Sequence, residues 1–160
     1  MTTGRALEAL RTARLRPTMA RVALVQVLLD ADPAAISTGD MYNALLQRGT
    51  PAAMGTVYRA AQELEDRGLL LREWSERHRK AMYRLKPKEL DDLEHIRLVC
   101  RESGQAILLR KHDLHARLLE AGREAGFDLA GQTLSIHVDA LKALRPAGVR
   151  TRPRLVAGRG

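Results

Sequence analysis

The sequence predicts an α+β protein built of two parts, an N-terminal helical part that ends in a β-hairpin and a smaller C-terminal part in which strands and a helix alternate. The spacing of apolar residues supports this prediction. Apolar residues follow the 3.6-residue period of helices up to about residue 67 and then the two-residue period of strands. The length of 160 residues fits one domain or two small ones, and the apolar content of 45% excludes full disorder.

Capping signals and apolar spacing predict three helices before residue 50. A short first helix covers residues 5–13. The second covers residues 18–29, and Thr18 is placed to cap its N-terminus. Ser37 and Asp40 have the spacing of a capping box, in which each side chain bonds the backbone amide of the other residue. A third helix is therefore expected to start there.

A fourth helix and a hairpin complete the N-terminal part. Pro51 suits the first helical position, and the helix is expected to cover about 52–67. Residues 69–74 and 81–85 have strand character and flank a polar, basic turn at 75–80. This is the order of a winged helix-turn-helix, in which the last helix enters the DNA major groove and the hairpin forms the wing.

The C-terminal part alternates strands and a helix. Residues 94–100 have the polarity pattern of a half-buried strand, and residues 106–109 form a second strand candidate. Asp113 is placed to cap a helix, and residues 133–138 alternate again. A unit of about 50 residues is marginally stable alone, because a small domain buries little surface. We therefore expect a small α/β dimerisation domain and a homodimer.

Composition shifts place the boundaries between these units. The winged-helix DNA-binding domain is predicted to cover residues 1–86 and the dimerisation domain residues 93–144, with a polar linker at 87–92. Residues 145–160 form a basic tail without periodicity, which is expected to be disordered.

The formal charge of +8 is unevenly distributed. Residues 1–88 carry 15 basic and 9 acidic residues, residues 89–141 carry 6 and 10, and residues 142–160 carry six basic residues and no acidic one. Clustered arginine and lysine favours a polyanion such as double-stranded DNA as the partner. A solvated surface that keeps the protein soluble is the alternative interpretation.

Several other function classes are disfavoured. The longest near-apolar run, at 22–29, is too short to span a bilayer, and no secretory signal is recognised, so we expect a cytoplasmic protein without a membrane partner. The sequence has no glycine-rich phosphate loop, nucleophile elbow or catalytic histidine–carboxylate motif, which argues against an enzyme and against catalytic residues. Cys100 is the only cysteine, which excludes an intrachain disulfide and an all-thiolate metal site.

Five segments carry a family resemblance. Residues 55–59 are Gly-Thr-Val-Tyr-Arg, and residues 64–69 follow as Leu-Glu-Asp-Arg-Gly-Leu. Further landmarks are Arg-Pro-Thr-Met-Ala-Arg at 16–21, Ile-Ser-Thr-Gly-Asp-Met-Tyr at 36–42 and Val-Cys-Arg-Glu-Ser-Gly at 99–104. Over about residues 14–140 the chain resembles the ferric uptake regulator (Fur) family and its zinc, manganese and peroxide relatives. The resemblance implies a dimeric transcription regulator with a winged-helix domain and a C-terminal dimerisation domain.

The resemblance also implies which residues contact DNA. Tyr58 is implied to pack on a thymine methyl and Arg59 to contact phosphate or guanine, while Arg16 reaches into the minor groove. A packed amphipathic side chain is the alternative role for Tyr58. With the basic wing included, the predicted DNA-contact residues are Arg16, Thr18, Arg21, Thr56, Tyr58, Arg59, Arg77, Arg79 and Lys80.

The metal-sensing residues that the resemblance leads one to expect are mostly replaced. The substituting residues are Ala35, Arg84, Ile96, Arg97, Ser103 and Gln132. Arg84 brings a positive charge to a position where a cation is expected, and the sequence alone does not name its partner. In the relatives, metal is implied to hold the winged helices in a DNA-competent geometry. Here hydrogen bonds, ion pairs and packing are expected to fix the hinge instead.

Two groups of residues are candidate remnants of a metal site, and each has a simpler alternative role. Glu94 and His115 either form half of a metal site or make a hydrogen bond that replaces the metal. His95, Cys100, His112 and His115 are a candidate cluster for zinc or haem, and a core thiol with solvated histidines is the alternative. We expect no metal site and no cofactor, with zinc, iron or haem as the alternatives.

These observations predict a dimeric, sequence-specific DNA-binding transcription regulator of the Fur type that acts independently of metal. One alternative is a Fur-type regulator that senses haem, a small molecule or a metal at a rebuilt site. Another is an interaction protein that forms mixed dimers or binds DNA non-specifically through its basic tail.

Overall fold

The computed structural model describes residues 1–87 and 94–144. The N-terminal part contains α1 (Thr2–Thr12), α2 (Met19–Ala31), α3 (Thr38–Gln47), α4 (Met54–Asp66), β1 (Leu70–Ser75) and β2 (Lys80–Leu85). The C-terminal part contains β3 (Ile96–Cys100), β4 (Ala106–Leu109), α5 (His112–Glu124) and β5 (Leu134–Val138). The predicted order of elements is confirmed, although α1 begins three residues earlier than expected. The predicted tail at 145–160 and all of the predicted linker except Pro87 lie outside the described residues.

Apolar side chains from all four N-terminal helices form one core. Helix α2 lies at its centre, and its residues Leu24, Val25 and Leu28 are at most 1% exposed. Buried residues occur on several sides of α2, as expected for a helix that is surrounded by other elements. Leu10 of α1 and Leu64 of α4 are fully buried against it. Each such leucine contributes about 1.5–3 kcal/mol through removal of apolar surface from water.

Two of the predicted helix caps are confirmed. The Thr18 hydroxyl accepts a hydrogen bond from the Arg21 amide at 3.3 Å and caps α2. Ser37 and Asp40 form the expected capping box at the start of α3, with reciprocal distances of 3.1 and 3.0 Å. Both caps satisfy amides that would lack partners at a helix N-terminus.

Helix α4 begins later than predicted. Ala53, with an extended backbone, precedes Met54, the first helical residue, so Pro51 lies outside the helix and its predicted position is wrong. The fixed φ of proline suits extended backbone as well as a helix start, which explains the error. Gly68 follows the helix with a φ of +73°, a conformation that glycine adopts without strain, and ends α4 as its sequence position indicates.

The wing is an antiparallel hairpin that is fastened to the helical core. β1 pairs with β2 from Leu70 opposite Leu85 outward to the turn. On its other side β2 is bridged to Ile36, which exchanges two backbone hydrogen bonds of 2.8 and 2.7 Å with Tyr83. The root of the wing therefore has a fixed position relative to α3 and α4.

The C-terminal sheet has the strand order β4-β3-β5. β3 is the central strand, antiparallel to β4 and parallel to β5, and α5 connects the two outer strands. Ile96 and Cys100 are buried on one face of β3, and Arg97 and Val99 are buried on the other, at 4% and 9% exposure. The predicted half-buried strand is therefore wrong in one respect, because both faces of β3 are covered.

Helix α5 also differs from its prediction at its start. Lys111 precedes it without a side-chain cap, and Asp113 lies inside the first turn, so the predicted Asp113 cap is wrong. A carboxylate in the first turn still interacts favourably with the helix dipole. No residue of α5 is buried in the single chain. Among the described residues, no helix has the length and apolar character needed to cross a bilayer.

Candidate nucleic-acid interface

Helix α4 separates an apolar face from a polar one. Val57, Ala61 and Leu64 are at most 2% exposed, whereas the Tyr58 side of the helix is open and Tyr58 itself is 48% exposed. Arg59 is exposed beside it. Because other residues occupy the inward face, Tyr58 does not belong to the core. A phenol and a guanidinium on one exposed helix surface have the chemistry to contact a thymine methyl, a base edge or a phosphate.

The first turn of α2 is joined to α4 by an ion pair, and it also bonds the segment that precedes α2. Arg21 Nη2 lies 2.6 Å from Glu63 Oε2, and Arg21 Nη1 donates to the Arg16 carbonyl at 2.8 Å. The Thr18 hydroxyl caps α2, the Arg16 side chain is exposed, and Thr56 is half-buried. Arg16 is thus open to a ligand, whereas Arg21 and Thr18 have structural partners.

The basic residues of the wing fall into two groups. Arg79 and Lys80 are exposed at the turn. Arg77, in contrast, donates from Nη1 to the carbonyl oxygens of Glu102 and Arg101, at 2.5 and 3.3 Å. In this arrangement Arg77 ties the wing to the turn between β3 and β4.

An arginine–glutamate cluster, formed by Glu73, Arg84 and Arg97, joins the wing to the C-terminal sheet. Glu73 on β1 accepts from Arg84 Nε on β2 at 2.6 Å and from both Nη atoms of Arg97 on β3, at 2.5 and 2.7 Å. Arg84 Nη2 also donates to Thr133 Oγ1 at 3.2 Å. The bidentate contact with Arg97 has the geometry in which guanidinium and carboxylate bind most strongly. The cluster therefore bridges the two parts of the chain.

Burial and arginine contacts act in opposite directions on Glu73. Burial alone raises the pKa of its carboxyl. The hydrogen bonds and charges of Arg97 and Arg84 lower the pKa by more than burial raises it, so the pKa is about 2 instead of 4.5. Glu73 is therefore ionised at neutral pH. With two guanidiniums and one carboxylate, the arginine–glutamate cluster carries a net charge of +1.

Only one of the two arginine contacts of Glu73, the one with Arg84, could have been predicted from the sequence. Leu71 pairs with Arg84 in the hairpin, so Glu73 lies on the same face two residues further along β1. Strand alternation and cross-strand pairing could have identified the pair of Glu73 and Arg84. The contact with Arg97 joins distant parts of the sequence, and no local pattern encodes it.

The remnant metal candidates do not come together. Glu94 pairs with Nδ1 of His112 at 2.8 Å, instead of with His115. Cys100 is buried in β3, and hydrogen bonds from Ser103 lower the pKa of its thiol. Within residues 1–87 and 94–144, no three His, Cys, Asp or Glu side chains converge on a point that could hold a metal ion.

The junction between the two parts is also unsuited to a metal ion. Among the described residues, its buried charged groups are the Arg84 and Arg97 guanidiniums, which have no lone pair to donate and which repel a cation. Their carboxylate partner, Glu73, has both oxygens bonded to arginine. The donors that are present here therefore do not fit the metal that the resemblance implies.

Comparison with known proteins decides the family. Residues 12–137 match the sequence profile of the ferric uptake regulator family. The chain belongs to this family. It is 32% identical over 130 residues to the ferric uptake regulation protein of Pseudomonas aeruginosa, and the alignment covers 81% of this chain and 92% of that protein. It is 27% identical over 129 residues to the corresponding protein of Escherichia coli K12, with coverage of 81% and 84%.

Solved structures of Fur proteins share the fold. The Pseudomonas aeruginosa ferric uptake regulator, solved with manganese, superposes with a TM-score of 0.60 at 31% identity, covering 86% of this chain and 98% of that one. The Vibrio cholerae regulator gives 0.63 at 25% identity, with coverage of 83% and 98%. A zinc-bound manganese uptake regulator gives 0.64 at 23% identity, with coverage of 88% and 100%, which supports the fold alone.

These matches confirm the predicted fold class, an N-terminal DNA-binding domain followed by a C-terminal dimerisation domain. The chain is accordingly a Fur-family transcription regulator, and members of this family are regulators rather than enzymes.

Proposed function

We propose that this Fur-family regulator binds a specific DNA sequence as a homodimer and holds its DNA-binding arrangement without a metal ion. In this proposal the winged-helix domain spans residues 1–86 and the dimerisation domain residues 93–144. The observation that carries the proposal is the arginine–glutamate cluster, which occupies the junction between the two domains.

The proposed DNA-binding surface is built from five exposed side chains. Tyr58 and Arg59 lie on α4, Arg16 precedes α2, and Arg79 and Lys80 lie at the turn of the wing. The basic residues attract phosphates without regard to sequence, and contacts from α4 to base edges supply the sequence preference. Thr18, Arg21 and Thr56 are proposed to support this surface, and Arg77 joins it only after leaving its carbonyl partners.

The arginine–glutamate cluster can do mechanically what a bridging ion does. It ties the wing to β3 and, through Thr133, to the segment that leads into β5. Hydrogen bonds to charged groups contribute about 1.5–3 kcal/mol each when their partners are buried. Both arginines are more than nine-tenths buried, so salt screens these contacts only weakly. Two relatives, in contrast to this proposal, were solved with a bound metal, manganese in one and zinc in the other.

The C-terminal domain leaves apolar surface for a second copy. Ile107 on the outer strand β4 is 41% exposed, and α5 buries no residue within one chain. A small three-stranded sheet with uncovered apolar side chains is marginally stable, and pairing with an identical domain covers that surface. We therefore propose the homodimer as the working form.

DNA selection tests this function. The full-length protein is used to enrich a binding sequence from a random duplex pool, and fluorescence anisotropy then compares the enriched duplex with a scrambled one. We expect the enriched sequence to bind at least about a thousandfold more tightly at physiological salt. Equal affinity for the two duplexes would contradict sequence-specific binding.

Deletion of residues 145–160 separates this proposal from non-specific binding through the tail. The deletion removes five arginines and no acidic residue. We expect it to weaken binding to all duplexes similarly and to leave the preference for the enriched sequence unchanged. Loss of all DNA binding would instead favour a protein that coats DNA through its tail.

A further inference from the structure

A cavity of about 310 Å³ lies where the two domains meet. Leu29 of α2, Leu69 at the root of the wing and Leu134 of β5 contribute apolar wall, and Arg84 and Arg97 line it as well. The helical core, the wing and the C-terminal sheet thus surround one space. Its volume is at the lower end of the range of small-molecule sites.

Positive charge dominates the inner wall of this cavity. The charged residues that line it are Arg5, Glu8, Asp32, Arg84, Lys86 and Arg97. Both acidic residues are exposed, so water screens their charge. Arg84 and Arg97 are only 7% and 4% exposed and share the Glu73 carboxylate, so they contribute a net charge of +1 that water screens much less. The cavity therefore favours an anion.

Arg97 has one donor that is unpaired within residues 1–87 and 94–144. Both of its Nη atoms bond Glu73, whereas its Nε is buried and has no hydrogen-bond acceptor among the described residues. Buried donors in native proteins are nearly always paired, so an unpaired one indicates a missing acceptor. A carboxylate oxygen is the acceptor that matches a guanidinium best, and it reaches this Nε only when the Arg97 side chain shifts, because the atom has no surface open to the cavity.

We propose that this cavity binds a small organic carboxylate, whose charged end lies at Arg84 and Arg97 and whose short carbon chain packs on the leucines. The apolar wall favours such an acid over inorganic phosphate, because phosphate has no carbon chain to pack against the leucines. The regulatory consequence rests on the proposed function. A ligand that touches both domains stabilises the arrangement in which they meet, and by linkage it tightens DNA binding if that arrangement binds DNA.

Calorimetry on the full-length protein, without DNA, tests the site itself. The probes are hexanoate and glutarate, and the controls are hexanamide, which lacks the charge, and inorganic phosphate, which lacks the carbon chain. We expect saturable binding of at least one carboxylate, with hexanamide and phosphate at least about tenfold weaker. No heat of binding from either carboxylate at millimolar concentration, or equal binding of a control compound, would overturn the proposal.

Matched variants locate the bound carboxylate. Arg5→Gln combined with Lys86→Gln removes two exposed cations from the cavity, and Arg11→Gln removes an exposed cation on the same helix α1 outside it. We expect the double variant to weaken carboxylate binding about tenfold and Arg11→Gln to leave it unchanged. Equal weakening by both would place the carboxylate elsewhere and overturn the proposal. Since no DNA is present, failure here leaves the DNA-binding proposal untouched, and failure of DNA selection leaves this result standing.

Discussion

Arginine is rarely buried in a protein unless an acidic partner accompanies it. Arg84 and Arg97 are both buried, and Glu73 is the carboxylate that bonds each of them. The three side chains therefore depend on one another. Removal of the single negative charge leaves two positive charges facing each other in a partly dehydrated junction, which costs more than the loss of an ordinary surface pair.

Glu73→Gln tests this dependence. We expect the free energy of unfolding to fall by about 2–4 kcal/mol, because two buried guanidiniums lose their counter-charge. Urea unfolding followed by circular dichroism measures the change. Glu76→Gln, at an exposed position near the tip of the same wing, is the matched control and should change stability by less than about 0.5 kcal/mol. Equal stability of the two variants would show that the cluster contributes nothing.

The pH dependence of stability gives a second test at Glu73. Its pKa is about 2 in the folded chain against an ordinary value of 4.5, so the folded state favours the ionised form. The resulting stabilisation, about 3 kcal/mol, is complete above pH 4.5 and is lost as the pH falls towards 2. The difference in unfolding free energy between wild type and Glu73→Gln should therefore shrink over this window. A difference that stays constant from pH 6 to about pH 2 would contradict the assignment.

At the scale of helices and strands, the sequence predicted what depends on neighbours along the chain. Thr18 and Ser37 cap their helices because the amides they bond lie three residues away. The start of α4 was missed, because Pro51 fits extended backbone as well as a helix. Burial on both faces of β3 was missed for a different reason. Arg97 is covered by the wing, which is remote in sequence.

Helix α4 is predicted to contact DNA through Arg59. Arg59→Ala is expected to weaken binding to the enriched duplex by about 1–3 kcal/mol if Arg59 bonds a base, and mainly to reduce the salt dependence if it bonds a phosphate. Anisotropy titrations at several salt concentrations distinguish the two. Arg67→Ala, at the exposed C-terminal end of the same helix, is the control. An unchanged affinity and an unchanged salt dependence for Arg59→Ala would remove that residue from the interface.

Strand β5 is predicted to contribute to the interface of the proposed dimer. Its residues alternate between half-buried and exposed, with Ile136 on the inward face and Ser135 on the outward one. Ile136→Asp is expected to weaken or dissociate the dimer, because it places a charge in apolar surface, whereas Ser135→Asp should leave the dimer intact. Sedimentation velocity measures the outcome. A dimer that survives Ile136→Asp while the chain remains folded would refute this placement of the interface.

At the scale of the whole molecule, the relation of the two domains is the property that sequence patterns did not supply. The domain order and the fold class followed from periodicity and from the family resemblance, and both are confirmed. The ties between the domains are Glu73 to Arg97, Arg84 to Thr133 and Arg77 to the turn after β3. Each joins residues at least 24 positions apart, so their pairing depends on the packed structure rather than on any local motif.

In the proposed function, these ties hold the DNA-binding arrangement without a metal ion. Elemental analysis of protein purified without a metal-affinity tag, combined with DNA titrations with and without chelator, tests it most directly. We predict metal content near zero and an affinity for the enriched duplex that the chelator leaves unchanged. About one metal ion per chain, together with chelator-sensitive DNA binding, would contradict the account and would show that a rebuilt ligand set retains the metal switch.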